Sequence, residues 1–201
     1  MTHTAYFGNI DWYRKLIAGG GIDSIDGSER WQKQTERNRC TIVTANGTQC
    51  LSVPVTVPSA HCRTDEVLIS DHGNWQHVHW NALCSAYGTS PFFEFYADDI
   101  KPFYDNRWEK LVDYNRDITL KMLHLIGLDD VISAQSANAG ALTANAGAHT
   151  ANDGAPTGEP RSLKYYQTFQ RRHGFIAGMS ILDLLFNEGP EAINTYSPLQ
   201  L

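Results

Sequence analysis

The 201-residue chain has no C-x-x-C pair, no G-x-G-x-x-G, no P-loop and no serine or cysteine in a nucleophile-elbow setting. These absences argue against a zinc ribbon, a fingerprinted dinucleotide fold, a phosphate cradle of the Walker type and covalent acyl-enzyme chemistry. Basic residues are outnumbered 16 to 22 by acidic ones, for a formal net charge of −6. That balance speaks against general nucleic-acid binding. No stretch approaches the roughly 18 uninterrupted apolar residues of a membrane span. The first residues, MTHTAYFGNIDWY, have neither a basic region nor an apolar core of a signal peptide, so a cytoplasmic protein is expected. The four cysteines, at 40, 50, 62 and 84, read as free thiols in apolar settings.

What is present is enough apolar residue, 42% of the chain, for one sizeable core. A single domain over 1–201 is expected, of α/β or α+β class, with a small mixed sheet covered by helices. The sheet is expected from the segments around Tyr6, Ile42, Val53 and Val67. Residues 29–55 organise the rest. Lys33, Gln34, Arg37, Asn38 and Arg39 form a dense polar cluster that runs into an apolar strand at Cys40, Ile42 and Val43. Asn46-Gly47 predicts a two-residue hairpin turn, and Leu51, Val53 and Val55 alternate as a second strand. Pro54 has no N–H to donate, so that strand lies at an edge or ends there.

Elsewhere, Thr4 to Phe7 reads as a strand, Gly8 as a turn and Asn9 as the cap of a helix that the glycines at 19–21 end. Such a strand–turn–helix unit can receive an anion on backbone N–H groups, or serve as an ordinary turn. Val67 to Ile69 is a short strand. A helix over about 75–87 places Trp75, His79, Leu83 and Ala86 on one face. His77 and His79 are about 200° apart on that helix, so no metal pair is expected. Pro91 is placed to open the next helix. A long helix is predicted from about Arg107 to Ile126, with Asn115 inside its apolar stripe, where a buried amide demands a partner or a ligand. Gly127 stops it. Three tandem seven-residue copies, SANAGAL, TANAGAH and TANDGAP, lie in a low-complexity insertion at about 133–160 that is read as disordered, since they offer no apolar seam. Tyr165, Tyr166 and Phe169 read as a helix. Ser180 caps a last helix with Asp183 in its first turn, more cap than catalyst.

Four segments, TAYFGNIDWY, KQTERNRCTIVTANGTQCLSVPV, NWQHVHWNALCSAYGTSPFFEFYADDIKPFY with WEKLVDYN, and YYQTFQRRHGF with MSILDLLFNEGPEA, together resemble the WbqC-like protein family, in its short Bacteroidetes-type form. The resemblance covers nearly everything outside the repeats. It implies a place in bacterial surface polysaccharide (O-antigen) biosynthesis and a transferase that moves an aminoacyl (glycine) or similar acyl group onto a sugar. It brings no catalytic set. Lys33, Arg37, Asn38 and Arg39, the Trp75, His79 and Tyr87 helix, and Leu184 to Gly189 fall on family segments.

Two readings follow from the residues. In the enzyme reading, the substrate is an activated acyl group or a nucleotide-linked sugar. Arg37 and Arg39, on one strand face, clamp an anion, with Lys33, Asn38, Tyr6, Trp75, Tyr87 and Asn115 as further substrate contacts. His79 or Asp71 is the base, with Glu29 in reserve. No cofactor and no oligomeric state is indicated. In the alternative, the chain is a non-catalytic binding or scaffold protein of a polysaccharide assembly system. Convergence of Arg37, His79 and Asp71 on one concave pocket favours the enzyme, and their dispersal over a convex face favours the scaffold.

Overall fold

The computed structural model describes residues 2–129 and 164–196. The seven-residue repeats lie outside them. Helix α1 spans Ile10–Ala18, and its Asn9 cap accepts from the Trp12 N–H. A 3₁₀ turn, Gly21–Ser24, follows. Strands β1, Arg39–Thr44, and β2, Gly47–Ser52, form the expected hairpin. Strand β3, Val55–Thr56, pairs with β4, Leu68–Ile69. Helices α2, Trp75–Tyr87, α3, Phe93–Ile100, α4, Pro102–Asp105, and α5, Leu111–Leu125, come next. After the undescribed segment come α6, Gln170–His173, and α7, Ile181–Glu188. Helices with small antiparallel sheets are thus the fold class. Among the described residues no helix is long and apolar enough to cross a membrane.

One core draws on both ends of the described chain, from Ala5 to Ala192. Tyr6, Phe7, Tyr13, Tyr87, Tyr114 and Phe186 are all fully buried in it. Each such side chain contributes on the order of 2 kcal/mol by leaving water. The aromatic content of the sequence is therefore spent mainly on packing.

Several local expectations are corrected. Thr4 to Phe7 is not a strand: Phe7 has φ +44°, which breaks extended backbone, although the Tyr6 N–H still bonds the Glu36 carbonyl at 2.9 Å. The strand–turn–helix unit is therefore absent. The sheet is two separate two-stranded ladders, since the chain turns at Val53-Pro54, where proline cannot continue the β2 ladder. The hairpin loop is Ala45-Asn46, one residue earlier than expected, and the positive φ of +109° falls on Gly47, which pairs with Thr44. Helix α5 begins at Leu111 rather than near Arg107, because residues 109–111 first pair with the β4 segment through Ile69 N–H to Glu109 carbonyl and Leu111 N–H to Val67 carbonyl. Helix α3 starts at Phe93, two residues after Pro91. Residues 165–169 are not helical, because Gln167 is pinned by both ends of its amide to Ile176, and Tyr165 by its hydroxyl to Asp183. Gly127, at φ +77°, ends α5 as expected, with Leu128 N–H returning to the Leu123 carbonyl.

Candidate functional site

The polar run between Trp31 and Arg39 is held at both ends. Trp31 N–H bonds the Cys62 carbonyl, and the Asn38 backbone and side chain both bond Val53. Between these anchors the chain makes consecutive turns, with Gln34 in the left-handed region at φ +61°. A non-glycine residue there carries backbone strain of about 1–2 kcal/mol. Two clefts adjoin across this segment.

The first, of about 340 Å³, is lined by Phe7, Asn9, Gln34, Glu36, Arg39 and Ser180 among others. Asn9 and Ser180 are bridge partners, and each caps a helix, α1 and α7 respectively. The positive ends of two helix dipoles thus meet at this wall. Glu36 accepts from the Asn9 amide at 2.8 Å and pairs with His3 at 3.5 Å. Arg39 has no ion-pair partner among the described residues. The second cleft, of about 290 Å³, is lined by Trp31, Lys33, Gln34, Asn38, Arg39, Val55 and Val57. Gln34 and Arg39 border both. A third, of about 520 Å³, shares Asn9 and Glu36 with the first and extends past His3, Trp12 and Lys15.

The structure sorts the sequence candidates into separate places. Lys33, Asn38 and Arg39 stand at the second cleft. Arg37 is only 4% exposed; its guanidinium bonds Glu29 through Nε at 2.8 Å and a terminal nitrogen at 2.7 Å, and also Thr35. It shares no anion with Arg39. Tyr6 and His79 form a buried cluster with Tyr104 and Tyr114, against which the half-buried Trp75 packs: the Tyr6 hydroxyl lies 2.9 Å from both His79 Nδ1 and the Tyr104 hydroxyl. Burial lowers the His79 pKa to about 4, with the Ser52 backbone acting weakly the other way, so the ring is neutral near pH 7. His77, on the opposite side of α2, is exposed and bonded to Asn81. The Tyr87 hydroxyl accepts from the Val43 N–H, and the Asn115 amide donates to the Arg37 carbonyl at 2.7 Å. Asp71 is exposed and ion-paired with Arg107. Arg37, His79 and Asp71 line none of the three clefts, so the convergence expected of the enzyme reading is not found, and that reading has to stand on other residues.

Asp183 is not a cap. It is buried at the centre of a network in which it accepts from Tyr165 at 2.6 Å and Gln167 at 2.7 Å, which fastens the 165–176 segment onto α7. Burial raises its pKa.

Glu36, Asn9, Ser180 and Trp31 were not singled out as site residues by sequence reasoning. Glu36 stood within the polar run and was recognisable as its only acid. Nothing in the spacing brings Ser180 beside Asn9.

The family model described as "WbqC-like protein family" matches residues 25–151, more than half of the 201 residues. The chain is similar to "Uncharacterized protein Rv1507c" of Mycobacterium tuberculosis, 36% identical over 98 residues, which are 47% of this chain and 42% of that relative. The chain thus spans less than half the length of that curated relative. No solved structure matches.

Proposed function

Since the chain belongs to the WbqC-like protein family, we propose that it is a transferase of bacterial surface polysaccharide (O-antigen) biosynthesis that moves an aminoacyl or similar acyl group onto a sugar. The observation that carries this reading is the presence, in one cleft, of Arg39, which has no ion-pair partner among the described residues, and of the carboxylate of Glu36, beside two capped helix starts. An activated acyl donor carries an anionic leaving group. Arg39 and the helix ends favour that negative charge. A sugar hydroxyl or amine attacks the acyl carbon, the bond from that carbon to the leaving group breaks, and Glu36 takes the proton from the nucleophile. Of the two free cysteines in the cleft, Cys40 is buried and its thiol pushed far up by burial, hence poorly nucleophilic, whereas Cys50 is exposed on β2; direct transfer is preferred because neither stands in a nucleophile-elbow setting. Glu36 takes the base role in place of His79 and Asp71 because it stands in the cleft, whereas His79 is sealed among tyrosines.

The test is a thermal-shift screen of the full chain against nucleotide-linked sugars and activated acyl donors, followed by a transfer assay with Glu36→Gln and Arg39→Ala. A ligand at 100 times its Kd adds roughly 2.7 kcal/mol of apparent stability. The expected result is a shift lost in Arg39→Ala and a transfer rate at least a hundredfold lower in Glu36→Gln, which retains an acceptor for Asn9. No shift and no transfer with any donor would leave the non-catalytic scaffold reading.

A further inference from the structure

The second cleft has a property that the first lacks. Trp31 Nε1, Asn38 Oδ1 and Arg39 Nε are each buried with no hydrogen-bond partner among the described residues, and all three residues line this one space. Trp31 and Asn38 are each 7% exposed. An unpaired buried polar atom costs about 1–3 kcal/mol, so three beside one cleft are a standing demand for a partner. Their chemistry is specific. Two are N–H donors, one on a cation, and Lys33 adds a second cation to the same cleft. The third is an acceptor. Val55 and Val57 supply an apolar wall.

We propose that this cleft binds a small carboxylate that carries a neighbouring hydroxyl: the carboxylate oxygens accept from Trp31 Nε1–H and Arg39 Nε–H, and the hydroxyl donates to Asn38 Oδ1. The three atoms are shielded from water, so a ligand reaches them only as side chains lining the cleft move; Lys33 and Gln34 are the exposed ones among these. Gln34, at φ +61°, is the strained residue between the two clefts. An anion lacking a donor leaves Asn38 Oδ1 unpaired, and a neutral sugar leaves the two N–H groups and Lys33 without negative charge. The chemistry is shared by free hydroxy acids and by the acidic residue of a saccharide. This deepens the transferase reading by naming what lies beside its cleft. It is tested by binding alone, so its failure and that of the transferase reading are seen separately.

The experiment is titration calorimetry of the full chain with glycolate, glucuronate, acetate, glucose and inorganic phosphate. Binding of glycolate alone assigns a free hydroxy acid, of glucuronate alone an acidic saccharide, and of both the shared group; each supports the proposal. Trp31→Phe is expected to weaken that binding at least tenfold while leaving the melting temperature unchanged or raised, because it deletes an unpaired buried donor and keeps most of the ring. Arg39→Lys, which retains the charge but lacks the Nε donor, is expected to weaken it by a similar factor and serves if Trp31→Phe misfolds. Acetate binding as well as glycolate, binding of glucose or phosphate alone, no binding at all, or unchanged affinity in the variant that folds overturns the proposal.

Discussion

Asn9 and Ser180 sit opposite each other in an antiparallel bridge, and each caps a helix, so residues 171 positions apart fix two helix starts at one cleft. The Ser180 hydroxyl also donates to the Phe7 carbonyl at 2.8 Å, and the Ile181 N–H bonds the Gly8 carbonyl. The tie between the N-terminal segment and α7 is therefore made at the wall that holds the candidate chemistry.

Ser180→Ala removes the α7 cap and leaves the buried Phe7 carbonyl without its donor. A loss of about 2 kcal/mol is expected, seen as a melting temperature lower by roughly 4–8 °C. A melt indistinguishable from the parent would show that the bridge does not depend on the hydroxyl.

Arg37 and Arg39 are expected to behave differently. Glu29→Gln removes the charge partner of the buried Arg37 guanidinium and is expected to cost on the order of 3 kcal/mol. Arg39→Ala removes a side chain with no ion-pair partner among the described residues; lost packing of its stem and relief of its buried, unpaired Nε oppose each other, so the loss is expected to be well below that of Glu29→Gln. Urea melts of the two variants side by side would decide this, and equal losses would refute the assignment of Arg37 to structure.

Acidification should destabilise the fold through His79. Its folded pKa of about 4 lies below its ordinary 6.5, so the unfolded chain binds the extra proton first, and stability falls as pH drops from about 6.5 to about 4. The full effect is about 3 kcal/mol. Asp183, whose pKa is raised by burial, acts in the opposite sense: its favourable contribution is complete at low pH and fades as pH rises through its folded pKa. His79→Gln cannot gain charge and can still accept from Tyr6. Melting temperature measured against pH should therefore show a shallower acid limb in this variant, and an unchanged limb would place the sensitivity elsewhere.

Gln34→Gly should separate strain from stability. Glycine adopts the observed φ of +61° without the Cβ clash, and the relief of about 1–2 kcal/mol roughly offsets the greater freedom of the unfolded chain. The expected outcome is a melting temperature equal to or above the parent. A marked loss of stability would mean that the Gln34 side chain, not the backbone, holds the turn.

Local chemistry was legible from the sequence where a short stretch decides its own conformation. Asn9 and Ser180 were readable as caps, Gly127 as a stop and Pro54 as the end of a strand, because each acts through its own backbone within a turn or so. The helix over 75–87 followed from its apolar spacing, and the polar run from Lys33 to Arg39 marked the segment that borders the clefts. The tertiary structure alone decided what those residues do. Both arginines carry the same charge in the sequence, but Arg37 folds back onto Glu29, eight residues earlier, while Arg39 enters the first strand and keeps its guanidinium for the clefts. His79, expected from the sequence as a base, has its Nδ1 bonded to the Tyr6 hydroxyl, 73 residues earlier, and burial keeps the ring neutral. Thr4 to Phe7 had the composition of a strand, and the long-range bonds from Tyr6 to Glu36 and from Phe7 to Ser180 gave it another shape. Side-chain type and spacing set which local bonds a chain can form. Which ions pair, which polar atoms remain without partners and which two helix starts meet depend on contacts between distant residues, and these exist only once the core has closed.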